Sequence, residues 1–274
     1  MGALVIVATP IGNLGDLSPR AVEELAKADA IACEDTRRTR KLLSHAGVKA
    51  PTLLTVNDHS EARQVRAVLS RLERGERVVV VTDAGTPGIS DPGERLVAAA
   101  TAAEIDVEVV PGPSAAIAAL VVSGLATGRF VFEGFLPRRG SGRTARIDAL
   151  RTEERTTILY EAPHRVRRTV AELAEALGAL RRVAIVRELT KVHEEIWRGT
   201  LGGAVTHLEA AEPRGEYVLV VGGASPAAEA SSEEVTDALR SRLAAGTDKK
   251  TATAEVAKEL RVSKRKVYEI ATRL

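Results

Sequence analysis

One cysteine, one methionine and one tryptophan occur in 274 residues, and aromatic side chains make up 3% of the chain. A lone Cys33 excludes an internal disulfide framework and suits a reducing compartment, where it packs beside Ala30, Ile31 and Ala32. So few rings leave little for a single-strand binder built on stacking platforms. No apolar run approaches the roughly 18 residues of a membrane span, and Met1-Gly2 leads straight into a strand, leaving no room for a signal peptide. These absences point to a cytoplasmic protein with no membrane contact. No G-x-G-x-x-G follows the first strand and no P-loop occurs, so the common phosphate-cradling fingerprints are missing. Histidines 45, 59, 164, 193 and 207 are scattered, none with a second His or Cys at zinc spacing, and no metal is implied. A net charge of +2 argues against a globally basic nucleic-acid binder.

What is present is concentrated at strand ends. The stretch RVVVVTDAGTPGISDPG, residues 77–93, runs an unalternating apolar strand into a loop of glycines, prolines, aspartates and hydroxyls. Such a strand is covered on both faces, as in a parallel α/β sheet, and ligands in those sheets sit beyond the carboxyl ends of strands. Glycines 85, 88 and 93 permit close backbone approach, and Pro87 and Pro92 stiffen the path. Two more strands end in kind: residues 4–8 in TPIGNLGD, and 107–110 in PGPSA. Short apolar strands alternate with helical stretches at 19–26, 36–45, 61–74 and 91–103, which predicts βαβ units closing near residue 112.

A second α/β domain is expected over 113–224. Its strands at 130–135, 157–160, 183–187, 195–199 and 217–221 include neighbours with no helix between them, so its sheet is mixed. GGASPAAEASS, 222–232, is a linker by composition. Beyond it, 233–274 reads as three short helices, the last two spaced like a helix-turn-helix or forming a plain cap. Charge is uneven: residues 137–156 carry six arginines against three acids, and 249–274 eight cations against three acids. Two basic segments in a nearly neutral chain suggest a polyanionic partner.

Six separated motifs in this order, ATPIGNLGDLSPRA, CEDTRRTRKLL, VVVVTDAGTPGISDPG, VVPGPSA, YEAPHR and RELTKVHEE, resemble the ribosomal RNA small-subunit cytidine-2′-O-methyltransferases of the tetrapyrrole methylase superfamily. The resemblance covers residues 3 to 224 and extends less specifically to the helical tail. It implies two α/β domains of the tetrapyrrole methylase type, 1–112 and 113–224, with the donor cleft between them, plus the small helical extension at 233–274. It further implies S-adenosylmethionine as methyl donor and, as acceptor, the ribose 2′-hydroxyl of a cytidine in the decoding region of 16S rRNA within the 30S subunit. A homodimer is implied too, because the superfamily commonly dimerises. Carried over by motif, Asp83, Ala84, Gly85 and Ile89 match the donor loop, and Ser114 and Ala115 a second donor contact. Pro10 stands where the superfamily has a more glycine-rich turn. Phe135 and Leu136 either wall the adenine or fill core.

A ribose hydroxyl is a poor nucleophile at neutral pH, so transfer needs a positioned base or electrostatic support for the oxygen. Glu34, Asp35 and Arg37 follow the strand at 30–33 as carboxylate base and phosphate grip; the plain alternative is an acidic helix cap with ordinary surface charge. His59 sits in a short polar loop, Lys191 could hold a developing oxyanion or a phosphate, and Tyr160 to Arg165 ends another strand with acid, base and cation together. Among these the sequence does not single out a base. The rival readings are a methylase of the same fold acting on a tetrapyrrole carbon or a translation-factor histidine, and a non-catalytic RNA-binding assembly protein.

Overall fold

The computed structural model describes residues 2–56, 61–225, 231–260 and 262–274. Residues Met1–Gly223 form one compact unit and Ala224–Leu274 a second.

The first unit is built on two five-stranded sheets. In the first, β1 (Ala3–Val7), β2 (Ala30–Cys33), β3 (Thr52–Thr55), β4 (Arg77–Val80) and β5 (Asp106–Val110) pair in the order β3-β2-β4-β1-β5, every pairing parallel. Parallel neighbours need crossovers, supplied by α1 (Pro19–Lys27), α2 (Thr36–His45), α3 (Glu61–Glu73) and α4 (Glu94–Ala102). The central strands are buried on both faces. Val5, Ile31 and Val79 pack in one core cluster while Leu4, Val78 and Val80 pack in another on the opposite face. This is why β1, β2 and β4 read as apolar runs without alternation. The edge strands differ: four of the five residues of β5 are exposed.

The strand order also places the crevice. After β2 the chain moves outward to β3, whereas after β4 it crosses to β5 on the other side. Neighbouring strands whose connections part in opposite directions open a cleft at their carboxyl ends. That point falls between β2 and β4.

The second sheet holds β6 (Phe130–Phe135), β7 (Thr156–Glu161), β8 (Arg182–Arg187), β9 (Glu195–Thr200) and β10 (Tyr217–Val221) in the order β6-β7-β10-β8-β9. Only β6 and β7 run parallel; the other pairings are antiparallel, so the expected mixed sheet is found. One face carries α5 (Ala115–Ser123), the other α6 (Ser141–Ala149), α7 (Pro163–Leu177) and α8 (Leu201–Glu209). Two sequence expectations are corrected here. Residues 91–103 form helix only from Glu94, because Gly93 has a φ of +136° that no helix accommodates. The basic segment 137–156 contains a helix, α6, that the sequence reading left out.

In the second unit, α9 (Ser232–Ala244), α10 (Lys249–Glu259) and α11 (Lys264–Ala271) enclose a small core of Val235, Leu239, Val256 and Val267. Each helix starts on a side-chain cap: Ser231 in a capping box with Glu234, then Asp248, then Ser263. Among the described residues, no helix is long and apolar enough to cross a membrane.

Candidate active site

A cavity of about 380 Å³ opens between the carboxyl ends of the first sheet and the second sheet. That volume lies within the roughly 300–1,000 Å³ of small-molecule sites. Its floor is the paired ends of β1 and β4. Thr9 N–H donates to Gly85 O at 2.9 Å, Gly85 N–H returns to Thr9 O at 3.1 Å, and the Thr9 hydroxyl donates to Thr82 O at 3.1 Å. This two-residue bridge lays the backbone of Ala84 to Thr86 along the cavity wall.

Asp83 ties the two strands that flank the crevice. Its Oδ1 accepts from the Asp35 N–H at 3.2 Å and its Oδ2 lies 3.3 Å from Arg38 Nε. Burial pushes the Asp83 carboxyl pKa up, an effect that the Arg38 charge partly offsets. The charged lining is unbalanced: Glu34, Asp83, Asp91, Glu161 and Glu216 against Arg38 alone, among the described residues. Arg165 and Lys191 pair Glu161 and Glu216 from behind this lining, so the surface facing the cavity is acidic without carrying the full five charges. At the other end the wall is aromatic. Phe135 and Phe132 meet Tyr160 edge to face, with centroids 5.6 and 5.1 Å away, and the Tyr160 hydroxyl accepts from the Ala116 N–H at 3.1 Å. Burial raises the Tyr160 pKa, so the phenol keeps its proton.

Phe135 reaches the cavity through a β-bulge at Glu133-Gly134, where the register of β6 on β7 shifts. Gly134 holds a φ of +60°, and a Cβ there would stand 3.1 Å from Ser90 Oγ. Gly12 serves the other approach between the halves. A Cβ on it would lie 2.4 Å from Lys191 Cγ, while the neighbouring Asn13 N–H donates to Thr190 Oγ1 at 3.2 Å.

The structure sorts the sequence-predicted residues. Glu34, Asp83, Ala84, Gly85, Ile89, Ser114, Ala115 and Phe135 all line the cavity. Leu136 does not: it is buried in the core between the second sheet and its helices, because successive strand residues face opposite sides. Pro10 is buried beside the cavity, and the wall there is Ile11. Asp35 takes the plain role. It caps α2 by accepting from the Arg37 N–H at 2.8 Å and pairs with the Arg37 guanidinium, whose hydrogen bonds hold its pKa at about 2. A carboxyl so depressed is a weak base. Arg37 is therefore already partnered. Lys191 lies outside the lining, its Nζ 2.8 Å from both Glu188 and Glu216. Burial alone would lower its pKa, but these two carboxylates outweigh it and raise it, so Lys191 stays a cation. His59 lies outside the described residues. Cys33 is buried, and burial raises its thiol pKa, consistent with packing rather than reactivity.

Sequence reading missed Ile11, Arg38, Ser90 and Glu216 as lining. Arg38 stood inside a motif already singled out. Glu216 had no local signal, since it arrives through a long-range strand pairing. Tyr160 was noticed for its motif, but the aromatic wall it forms depends on β6 lying beside β7.

The family model described as Tetrapyrrole (Corrin/Porphyrin) Methylases matches residues 3–205. The chain is 47% identical over 276 residues to the Synechocystis sp. protein named ribosomal RNA small subunit methyltransferase I, covering all of this chain and 99% of that one. It is 45% identical over 257 residues to the protein of the same name from Mycobacterium tuberculosis, covering 93% and 89% of the two chains. Among solved structures, uroporphyrin-III C-methyltransferase from Thermus thermophilus, complexed with S-adenyl homocysteine, superposes with a TM-score of 0.56 at 19% identity over 81% of this chain and 97% of that one.

Proposed function

Because the chain belongs to the tetrapyrrole methylase family and, within it, to the ribosomal RNA small subunit methyltransferase I family, we propose that it methylates a cytidine ribose 2′-hydroxyl in the decoding region of 16S rRNA, using S-adenosylmethionine. The observation that carries this reading is the charge and shape of the cavity. Its lining carries five carboxylates and one guanidinium, with Arg165 and Lys191 pairing Glu161 and Glu216 from behind, so the face turned to the cavity is acidic and suits a donor bearing a sulfonium and an ammonium better than a nucleotide phosphate. The Phe135 and Tyr160 rings suit its adenine, and the backbone of Ala84 and Thr86, on either side of the Thr9–Gly85 bridge, lies along the wall to meet its polar edges. Asp83, Ala84, Gly85, Ile89, Ser114 and Ala115 are the residues that would hold it. When bound, the donor supplies a methyl group made electrophilic by the adjacent sulfonium.

The chain's own part is to align and to take a proton. Glu34, at the end of β2 and on the cavity wall, is placed to accept the proton of the ribose hydroxyl, while Asp35 beside it only caps the helix. Lys191 holds Glu216 against the wall and keeps the β8–β9 loop on the Gly12 turn. Glu34→Gln is expected to lower kcat about 100-fold or more, the ordinary worth of a general base. Asp35→Asn, which keeps a capping oxygen, is expected to stay within about threefold of the parent. Equal losses in single-turnover methyl transfer would show that the cap, not the base, was disturbed.

The acceptor is RNA within an assembled 30S subunit, read by shape and phosphate contacts, since rings for stacking are few. Such a substrate places the protein in the cytoplasm. Ile117 and Val121, 47% and 66% exposed one turn apart on α5, provide an apolar face for a second copy in a homodimer. The deciding experiment is transfer of labelled methyl to 30S subunits from a strain lacking this activity, beside naked 16S rRNA, with nucleoside analysis. Formation of 2′-O-methylcytidine is expected. Donor binding with no label on either acceptor would send the assignment to a tetrapyrrole or protein substrate.

A further inference from the structure

We propose that two pairs of adjacent cations, Arg40 with Lys41 and Arg138 with Arg139, form a two-sided clamp for the phosphate backbone of the RNA strand whose ribose enters the cavity. The proposal rests on the rRNA reading above and names the surface that would grip that substrate.

The first unit pairs most of its arginines. Arg37 and Arg38 are taken by Asp35 and Asp83; Arg143, Arg146, Arg151 and Arg155 by Glu172, Glu133, Asp148 and Glu153. The basic segment 137–156 is thus mostly neutralised by acids of the same unit, Asp148 and Glu153 inside it and Glu133 and Glu172 outside it. Arg138 and Arg139 are the exception, exposed and without a hydrogen bond or ion pair to any described residue; the same holds for Arg40 and Lys41. Helix α2 has no acidic residue over its ten residues, so its outward cations repel one another. Uncompensated like charge of that kind is stabilised by a polyanion.

Position gives the pairs their meaning. Lys41, next to Arg40, stands one helical turn after Arg38 on α2 and Arg138 three residues after Phe135 of β6, and Arg38 and Phe135 line the same cavity from its two halves. A strand delivering one ribose to that cavity would carry phosphates to both sides of it. The second pair is also held in place. Arg165 donates to Leu136 O at 2.6 Å and the buried Arg143 to Pro137 O at 3.0 Å, fixing the turn that presents Arg138 and Arg139. Helix α6, which follows, begins at Gly140 with no side-chain cap, leaving its first amides open beside those two arginines. A rigid presentation lowers the ordering cost of binding.

The test is the salt dependence of binding by the full chain to unmethylated 30S subunits and to naked 16S rRNA, between about 50 and 200 mM salt, with donor affinity measured alongside. Each double variant, Arg40→Gln with Lys41→Gln and Arg138→Gln with Arg139→Gln, is expected to reduce the slope of log K against log salt by about 1.4, two phosphates at roughly 0.7 each for single-stranded RNA. Donor affinity should not move, and Arg138→Lys with Arg139→Lys should restore the slope. An unchanged slope in either pair, or no rescue by lysine, overturns the clamp. If the parent protein labels RNA while the slopes stay put, the clamp falls and the methyltransferase reading stands. A parent that neither labels nor binds RNA removes both.

Discussion

Asp83→Ala is expected to weaken donor binding about 100-fold, or about 2.7 kcal/mol, while the protein still melts cooperatively near the parent temperature. Asp83 is the carboxylate at the switch point, 21% exposed, with Arg38 on one oxygen and the Asp35 N–H on the other. A hydrogen bond to a charged group in such a place contributes roughly 1.5–3 kcal/mol, and the cavity's other carboxylates cannot replace one held at the β4 end. The fold is spared for a reason visible in the titration of the group. Burial raises the Asp83 pKa, so the ionised form is less comfortable in the folded chain than in the unfolded one. Its stability contribution is therefore greatest below the unfolded pKa of 3.8 and is lost as pH rises through the folded value. Removing it at neutral pH relieves that penalty and offsets the loss of its two bonds. The same shift gives binding a pH dependence of opposite sense. A cationic donor favours ionised Asp83, so affinity should fall as pH drops through the raised pKa, and Asp83→Asn should flatten that part of the profile. Isothermal calorimetry across pH measures both; donor affinity unchanged in Asp83→Ala would retire the donor-loop assignment.

The parts of this fold legible in the sequence were those written in local chemistry. β1, β2 and β4 announced themselves as unalternating apolar runs because helices cover both their faces, and the glycine and proline content after β4 marked the loop that became the cavity wall. Glu34 and Asp35, adjacent in sequence, could not be told apart there. A helix cap and a cavity carboxylate differ by which way a backbone turns, and the Asp35 side chain turns back on its own helix. The two readings of Phe135 and Leu136, wall or core, divide between them for the same reason: after the bulge that aims Phe135 at the cavity, the next residue faces the core. Helix α6 was hidden by one residue. Its buried stripe is Arg143, Ile147 and Leu150, spaced as a helical face, but an arginine at the first position breaks the apolar pattern on which periodicity relies.

That arginine carries the other large expected effect. Arg143 is 3% exposed, and its guanidinium makes bonds in three directions: to Glu172 at 2.7 Å, to Pro137 O at 3.0 Å and to Thr169 Oγ1 at 2.8 Å. Thr169 in turn donates to Glu161 Oε2 at 2.5 Å, and Arg165 lies 3.1 Å from Glu161 Oε1. Glu161 is 2% exposed and ends β7 on the cavity wall, so the network runs from a buried helix face to the donor site. Breaking a buried pair by deleting one partner typically costs about 3–5 kcal/mol, and here the lower end, about 3 kcal/mol, applies because Glu172 is 30% exposed and keeps Arg168. Arg143→Ala should accordingly lower the Tm by roughly 6–12 °C, at about 2–4 °C per kcal/mol for a unit of this size. Arg143→Lys keeps the charge but cannot bond in three directions at once, and should recover only part of that loss. The second consequence separates positioning from bulk stability. With the Arg143 bond to Pro137 O gone and only the longer Arg165 contact left on that oxygen, the Phe135 rim loses one of its two anchors, so the KM for the donor should rise well below the melting range while kcat moves little. A melting shift under about 2 °C, or a donor KM unchanged in Arg143→Ala at low temperature, would mean that Arg165 alone holds the rim and that the buried arginine serves only to fill α6 against α7.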